Sequence, residues 1–271
     1  MLELLALMTK PFLACVILVG IHAYLGWHVI EREIIFVDLA LAQIAALGAA
    51  IALIAGFAES AWGNYLITLG FTFLGAIVFS FSGTEKSKIP QEAVIGIVYA
   101  GAASMVILIL NFSPSGDEHL KHFLTGNLLF VSWSKITMLI AIYGLIGIIH
   151  WKMRKPFLML SQDRDKAKEN KINIRFYDFI FYALFGVVVT TSVQVAGVLL
   201  VFCFLIIPAG IGVLCASTLI SRLMVGWGAG IFCSFFGCFL SAWADIPTGP
   251  SIVAVLVGLF FSIFLVNRIN A

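Results

Sequence analysis

The stretch "AGVLLVFCFLIIPAGIGVLCA" (residues 196–216) contains no charged side chain. A helix of this length crosses the ~30 Å hydrocarbon core of a bilayer. The chain as a whole is 62% hydrophobic and 11% charged, whereas soluble domains average about 25% charged residues. Its apolar runs are solid rather than alternating, which favours helices over a membrane β-barrel. The sequence therefore predicts an all-α polytopic membrane protein.

Apolar runs of similar length recur along the chain and predict about nine transmembrane helices in one domain that covers residues 1–271. Two neighbouring spans are separated only by the short polar segment "TTSVQ". The expected spans cover residues 11–30, 34–56, 61–82, 93–112, 131–150, 176–192, 195–216, 224–243 and 249–267.

The Lys and Arg residues indicate the orientation of these spans. All of them except Lys10, Lys121 and Lys135 fall in gaps on one side of the predicted membrane. Cytoplasmic loops carry an excess of positive charge, so the N-terminus is expected outside and the C-terminus in the cytoplasm. The only sizeable cytoplasmic loop is then 151–175.

Within this loop, "SQDRDKAKEN" (residues 161–170) predicts a short amphipathic helix capped by Ser161. Such a helix is either a solvated part of the loop or a docking element for a soluble partner.

Ionisable groups inside spans are candidates for function. Asp38 lies within a turn or two of the cytoplasmic end of the second span, five residues before Gln43. Lys135 and Asp178 lie near span ends, where side chains reach the interface and need no special role.

The stretch "ADIPTGPS" (residues 244–251) breaks the helix between the last two spans. Irregular backbone at this depth is tolerated where it is buried in protein or lines a watery cavity. Asp245 could accept hydrogen bonds from freed N–H groups or cap the next helix, and a plain structural turn is the alternative.

Five residues are weak candidates for metal binding. His22 and His28 in the first span are six residues apart, about 240° around a helix, so packing is favoured over a joint metal site. His119 and His122 lie in an outside loop, and Glu59 ends the second span on the outside. Imidazole and carboxylate suit transition metals, but a solvated amphipathic loop is the favoured explanation of the two loop histidines.

The sequence contains no Walker A motif, H-E-x-x-H, G-x-S-x-G or CxxC. A component of a transporter that another protein powers is therefore favoured over an intramembrane enzyme or a channel that works alone. The net charge of +2 gives no reason to expect a nucleic-acid partner.

Several motifs resemble the permease subunits of bacterial zinc, manganese and iron ABC importers. The most specific are residues 196–216 and the later "SAWADIPTGPSIV". Other segments are similar to family motifs in the same order along the chain: "GWHVIERE" (26–33), "QEAVIGIVYA" (91–100), "EHLKHFLTGNLLFV" (118–131) and "SQDRDKA" (161–167).

This resemblance implies a type II permease architecture, like that of the vitamin B12 importer, in the bacterial inner membrane. It implies a homodimer with the translocation path between the two copies and an extracytoplasmic binding protein. A cytoplasmic ATPase that holds ATP and Mg²⁺ would dock on a coupling helix around Ser161, Asp163 and Ala167. The chain itself would be a non-catalytic subunit without a cofactor.

The second span departs from the family pattern. The family has Phe-x-Gly-Asp-x-Leu-x-His there, and the resemblance implies that its Asp and His bind the metal in the path. In this chain the family's Gly falls on Asp38, its Asp on Leu39 and its His on Gln43. The residues expected along the path are Asp38, Leu39, Gln43, Asp245, Pro247 and Gly249.

Three interpretations of this departure remain open. The path could pass a metal without a strong ligand after transfer from the binding protein. Other groups, such as His22, His28 or Glu59, could replace the missing ligands. The substrate could instead be a metal chelate or another solute.

Overall fold

The computed structural model describes residues 2–57, 61–83, 88–113 and 123–269. These residues form helices joined by short links, with one 3₁₀ turn at Leu128–Phe130. No strand occurs in the described ranges, and the predicted all-α class is confirmed. The helices are α1 Leu2–Glu31, α2 Val37–Ile54, α3 Ala61–Ser82, α4 Gln91–Leu110, α5 Trp133–Lys152, α6 Arg154–Gln162, α7 Arg164–Glu169, α8 Ile174–Cys215, α9 Leu219–Ala244 and α10 Thr248–Ile269.

Eight of the helices in the described ranges are long and apolar enough to cross a membrane. The longest, α8, has 42 residues and is kinked at Gly197, so it is long enough for two crossings of about 20 residues each. Counted as two crossings, α8 brings the total to the nine spans that the sequence predicts.

The expected break between the two spans is present but lies three residues after "TTSVQ". Helix α8 continues through this segment, and its backbone leaves helical geometry only at Gly197, with φ 76° and ψ 158°. The polar segment stays helical because its hydroxyls bond to the preceding turn: Thr191 donates to Val187 O at 2.8 Å, and Ser192 donates to Val188 O at 2.6 Å. Glycine takes the positive φ without the clash that a Cβ would introduce.

The chain divides into two compact units. The first unit contains residues 1–30, 124–147 and 194–271. Its helices approach each other closely at glycines: a Cβ on Gly26 of α1 would lie 1.9 Å from the carbonyl oxygen of Leu205 in α8. Helix backbones in this unit therefore pack closely where one of them carries a glycine.

The second unit contains residues 31–123 and 148–193. Helix α2 packs against both α3 and α4. Gly48 allows the approach to α3, since a Cβ there would lie 2.9 Å from Thr68 Cα. The Thr72 and Thr190 hydroxyls lie 3.1 Å apart and join α3 to α8. Most of α2 is buried as a result.

Gly26→Ala should lower the melting temperature of the detergent-purified protein, since the added methyl group forces α1 away from a backbone carbonyl. Overpacking of this kind costs ~1–3 kcal/mol. Gly20→Ala is the matched control on the same helix, because a Cβ there meets nothing within 4 Å. Thermal unfolding followed by size-exclusion chromatography measures both variants, and equal melting temperatures would contradict the proposed contact.

Candidate functional site

The first turn of α2 contains a carboxylate that is fully removed from solvent. Asp38 is 0% exposed, and neither of its oxygens has a hydrogen-bond partner among the residues that the structure describes. Burying an unpaired charge costs several kcal/mol. An ionisable side chain in this condition inside a membrane span marks a candidate for function.

The start of α2 is held by α4. The backbone N–H of Phe36, next to the first residue of α2, donates to Glu92 Oε1 at 3.0 Å. Glu92 lies in the first turn of α4, and a carboxylate at a helix N-terminus satisfies a donor that the helix itself cannot pair. Glu92 is not among the functional residues that the sequence predicts. Its contact depends on a residue 56 positions away.

The other path candidates on α2 are not brought together with Asp38. Gln43 is 9% exposed and lies five residues further along the same helix, about 140° around its axis. Leu39 is half-buried. Within one copy of α2, the carboxylate and the carboxamide therefore point in different directions.

The turn between α9 and α10 belongs to the first unit. Asp245 does not cap α10: it is the C-terminal cap of α9, with φ 53°, and is exposed. The polar contact at this turn comes from Ser241, whose hydroxyl donates to Ile246 O at 2.6 Å. Pro247 is exposed and Gly249 is buried. These contacts fit the structural-turn interpretation of this stretch.

His22 and His28 are both fully buried in α1. His22 Nδ1 lies 2.7 Å from Leu18 O. The His28 ring lies edge-on to Tyr24 and Trp27, with centroids 4.8 Å away in both cases. In the described ranges no three His, Cys, Asp or Glu side chains come close enough to hold a metal ion.

The remaining weak metal candidates, Glu59, His119 and His122, lie outside the described residues. Their roles stay predictions.

The short helix predicted within residues 161–170 is present, but its cap is different. Ser161 lies inside α6, and Asp163 caps α7 by accepting from Lys166 N at 3.0 Å. This hydrogen bond holds the pKa of Asp163 below its usual value. Ser161 is not free to cap α7 because its hydroxyl donates to Phe157 O and accepts from Arg32 Nε. Ala167 is buried, so α7 packs by this face.

Asp178 is buried and paired, whereas its place near a span end predicts a side chain that reaches the interface. Its side chain is 1% exposed. One oxygen accepts from Arg32 Nη1 at 2.9 Å, and the other accepts from Arg164 Nη2. One buried carboxylate therefore pairs with two guanidiniums, those of Arg32 and Arg164.

A model of the ABC 3 transport family matches residues 5–267, almost the whole chain. The chain belongs to this family. The resemblance seen in the sequence motifs is confirmed, and the protein is a multi-pass membrane member of an ABC transport family.

Relatives within this family have named substrates. The manganese transport system membrane protein MntC of Listeria innocua is 28% identical over 213 residues, 74% of each chain. The chelated iron transport system membrane protein YfeD of Yersinia pestis is 27% identical over 182 residues, 67% of this chain and 61% of that protein.

A solved structure supports the fold of this ABC 3 family member. PsaBC from Streptococcus pneumoniae, in complex with a Fab, matches 95% of this chain and 91% of the matched chain. The TM-score is 0.77 at 23% sequence identity. The predicted fold class, an ABC permease fold, is confirmed.

Asp38→Ala should raise the melting temperature of the metal-free protein, because it removes a buried carboxylate that has no partner in the described ranges. Relief of such a group is worth ~1–3 kcal/mol. Asp165→Ala is the control: its side chain is 84% exposed, and the change should stay within about 0.5 kcal/mol. A lower melting temperature for Asp38→Ala would show that the carboxylate stabilises the fold.

Proposed function

We propose that this chain is the permease subunit of an ATP-driven importer for a divalent transition metal, with manganese as the favoured substrate. Asp38 is the observation that carries the proposal: a fully buried carboxylate without a partner in the described residues, on a span of an ABC 3 family protein. A divalent cation that reaches Asp38 when the helices around α2 separate during transport would supply the missing opposite charge.

The ligand chemistry favours manganese over zinc. Imidazole suits zinc and iron, whereas carboxylate and carbonyl oxygens suit manganese. The chain has Gln43 at the position of the family's His, which leaves Asp38 as the charged oxygen ligand on α2. The manganese transport relative MntC supports the same choice.

The assembly that we propose contains two copies of this chain, with the path between them. A separate ATPase, holding ATP and Mg²⁺, would dock on the cytoplasmic face at α7 through Ser161, Asp163 and Ala167. An extracytoplasmic binding protein would deliver the metal. The Lys and Arg distribution supports an N-terminus outside and a C-terminus in the cytoplasm of a bacterial inner membrane.

A metal chelate is the second candidate substrate. The relative YfeD is named as part of a chelated iron transport system. A chelate arrives with its ligands in place and needs fewer from the path, which fits a span that has Leu39 and Gln43 where the family has Asp and His.

ATP hydrolysis by the reconstituted complex distinguishes the substrates. The binding protein should stimulate hydrolysis severalfold when it is loaded with Mn²⁺, and less with Zn²⁺ or Fe²⁺. Iron chelates form a separate arm of the same assay. If the three divalent ions all fail, the divalent-metal proposal falls, and stimulation by a chelate alone would support the second candidate.

Asp38→Asn should lower manganese uptake about tenfold or more, since it removes the charge that pairs with the cation, and a tenfold change corresponds to ~1.4 kcal/mol. Gln43→Ala should lower uptake much less, because it removes only a neutral amide. Uptake into cells is measured at equal protein levels, with Arg268→Gln, which removes an exposed charge on α10, as the control. Wild-type rates in both α2 variants would remove this stretch from the mechanism.

A further inference from the structure

Asp178 connects two parts of the second unit that are distant in sequence. Its two oxygens accept from different elements: Arg32 follows the end of α1, and Arg164 is the first residue of α7. The Arg32 side chain is 5% exposed and that of Arg164 is 33% exposed. The negative charge of Asp178 therefore lies between two guanidiniums that would otherwise repel each other.

Arg32 also contacts the other cytoplasmic helix. Its Nε donates to the hydroxyl of Ser161 near the end of α6, at 2.8 Å. The Arg32 guanidinium lies over the ring of Phe181 in α8, 3.9 Å from the centroid. Its position is therefore determined by α6 and α8 together.

Arg164 extends the same network to the end of α3, and Gln91 of α4 lines the same cavity as Arg164. Its Nη1 donates to Gly83 O at 2.9 Å, just after α3. At the first residue of α4, Gln91 donates to Phe79 O at 3.0 Å and to the hydroxyl of Tyr182 in α8 at 2.8 Å. The cytoplasmic ends of several spans thus meet at this group of side chains.

This cavity, of about 150 Å³, borders the group. Arg32, Ser161 and Arg164 line it together with Asp163, the cap of α7. The network therefore lies directly beside the surface at which the proposed ATPase would dock.

We propose that Asp178 is a positioning residue for transport. With Arg32, Arg164 and Ser161 it forms the Asp178 clasp, which ties α6 and α7 to the link between α1 and α2. This proposal rests on the proposed function. The clasp transmits movement of the docked ATPase to the first turn of α2.

The link itself is short enough to transmit such a movement. Only residues 32–36 separate α1 from α2. Val37 N donates to Ile34 O at 3.1 Å, and Phe36 N is held by Glu92. A displacement of Arg32 therefore acts on the turn that contains Asp38, rather than being absorbed by a flexible loop.

A structural role alone and a coupling role predict different results. If the clasp only stabilises the fold, its loss should lower uptake and ATP hydrolysis together, in proportion to the folded complex that remains. If the clasp transmits movement, the folded complex should continue to hydrolyse ATP while it moves less substrate per ATP.

Asp178→Asn keeps the size of the side chain and removes its charge. In the complex with ATPase and binding protein in liposomes, manganese transported per ATP hydrolysed should fall about tenfold, with hydrolysis within about twofold of wild type. Arg268→Gln removes the charge of an exposed side chain near the end of α10, on a different helix from the docking surface, and should leave the ratio unchanged. An unchanged ratio for Asp178→Asn would overturn the proposal.

Arg164→Gln serves if Asp178→Asn fails to fold, because it leaves the Arg32–Asp178 pair in place. The ratio should fall for this variant too. A folded Arg164→Gln complex in which uptake and hydrolysis fall equally would overturn the proposal.

A distance measurement tests the clasp without reference to the substrate. Spin labels are placed at Glu33→Cys and Glu169→Cys, both exposed. Cys203→Ser and Cys215→Ser remove the two native cysteines that are not buried. With the clasp intact, the label distance should be the same in the nucleotide-free and vanadate-trapped complexes. In Asp178→Asn, or Arg164→Gln if that variant is used, it should change or broaden.

Equal distributions of the label distance with and without the clasp mutation would overturn the proposal. A label distance that changes with nucleotide while the clasp residues are unmutated would also overturn it. If no metal is transported by the wild-type complex, the proposed substrate fails, but the distance result still decides the clasp.

Discussion

A carboxylate that is removed from water inside a membrane needs a cation, a proton or hydrogen-bond donors. The second unit meets this constraint in two ways. Asp178 is surrounded by the guanidiniums of Arg32 and Arg164, and Asp38 has no partner in the described part of the chain. Asp178 is thus paired within the fold, and Asp38 is proposed to bind the transported cation. The proposed function depends on this difference.

The surrounding helices make the difference meaningful. Helix α2 is packed against α3 and α4, and the contact with Glu92 fixes its start. Fraying of the first turn of α2 therefore does not expose Asp38 to solvent. The clasp lies on the other side of the short link that begins at Arg32. The unpaired carboxylate and the proposed docking surface for the ATPase are therefore joined by a chain of contacts within one compact unit.

The number and type of the membrane helices could be predicted because hydrophobic length is a local property of the sequence. Errors arose where a polar residue has a choice of partners. Thr191 and Ser192 suggest a break, but their hydroxyls bond within α8. Ser161 suggests a cap, but Arg32, 129 residues away, and Phe157 engage its hydroxyl. Contacts of this kind leave no periodic pattern in the sequence.

The role of Asp178 illustrates the same limit most clearly, since Arg32 lies 146 residues away along the chain. Asp38, by contrast, was predictable from its charge inside an apolar span. What the sequence could not supply was the lack of a partner for it in the described residues, which turns an unusual residue into a candidate cation site.

Anomalous diffraction at the manganese edge, from crystals of the assembled transporter trapped with Mn²⁺, tests the central claim most directly. The account predicts an anomalous peak within coordination distance of an Asp38 carboxylate oxygen, and its loss in Asp38→Asn. A manganese peak in the path that lies away from Asp38, or that persists in Asp38→Asn, would contradict the account.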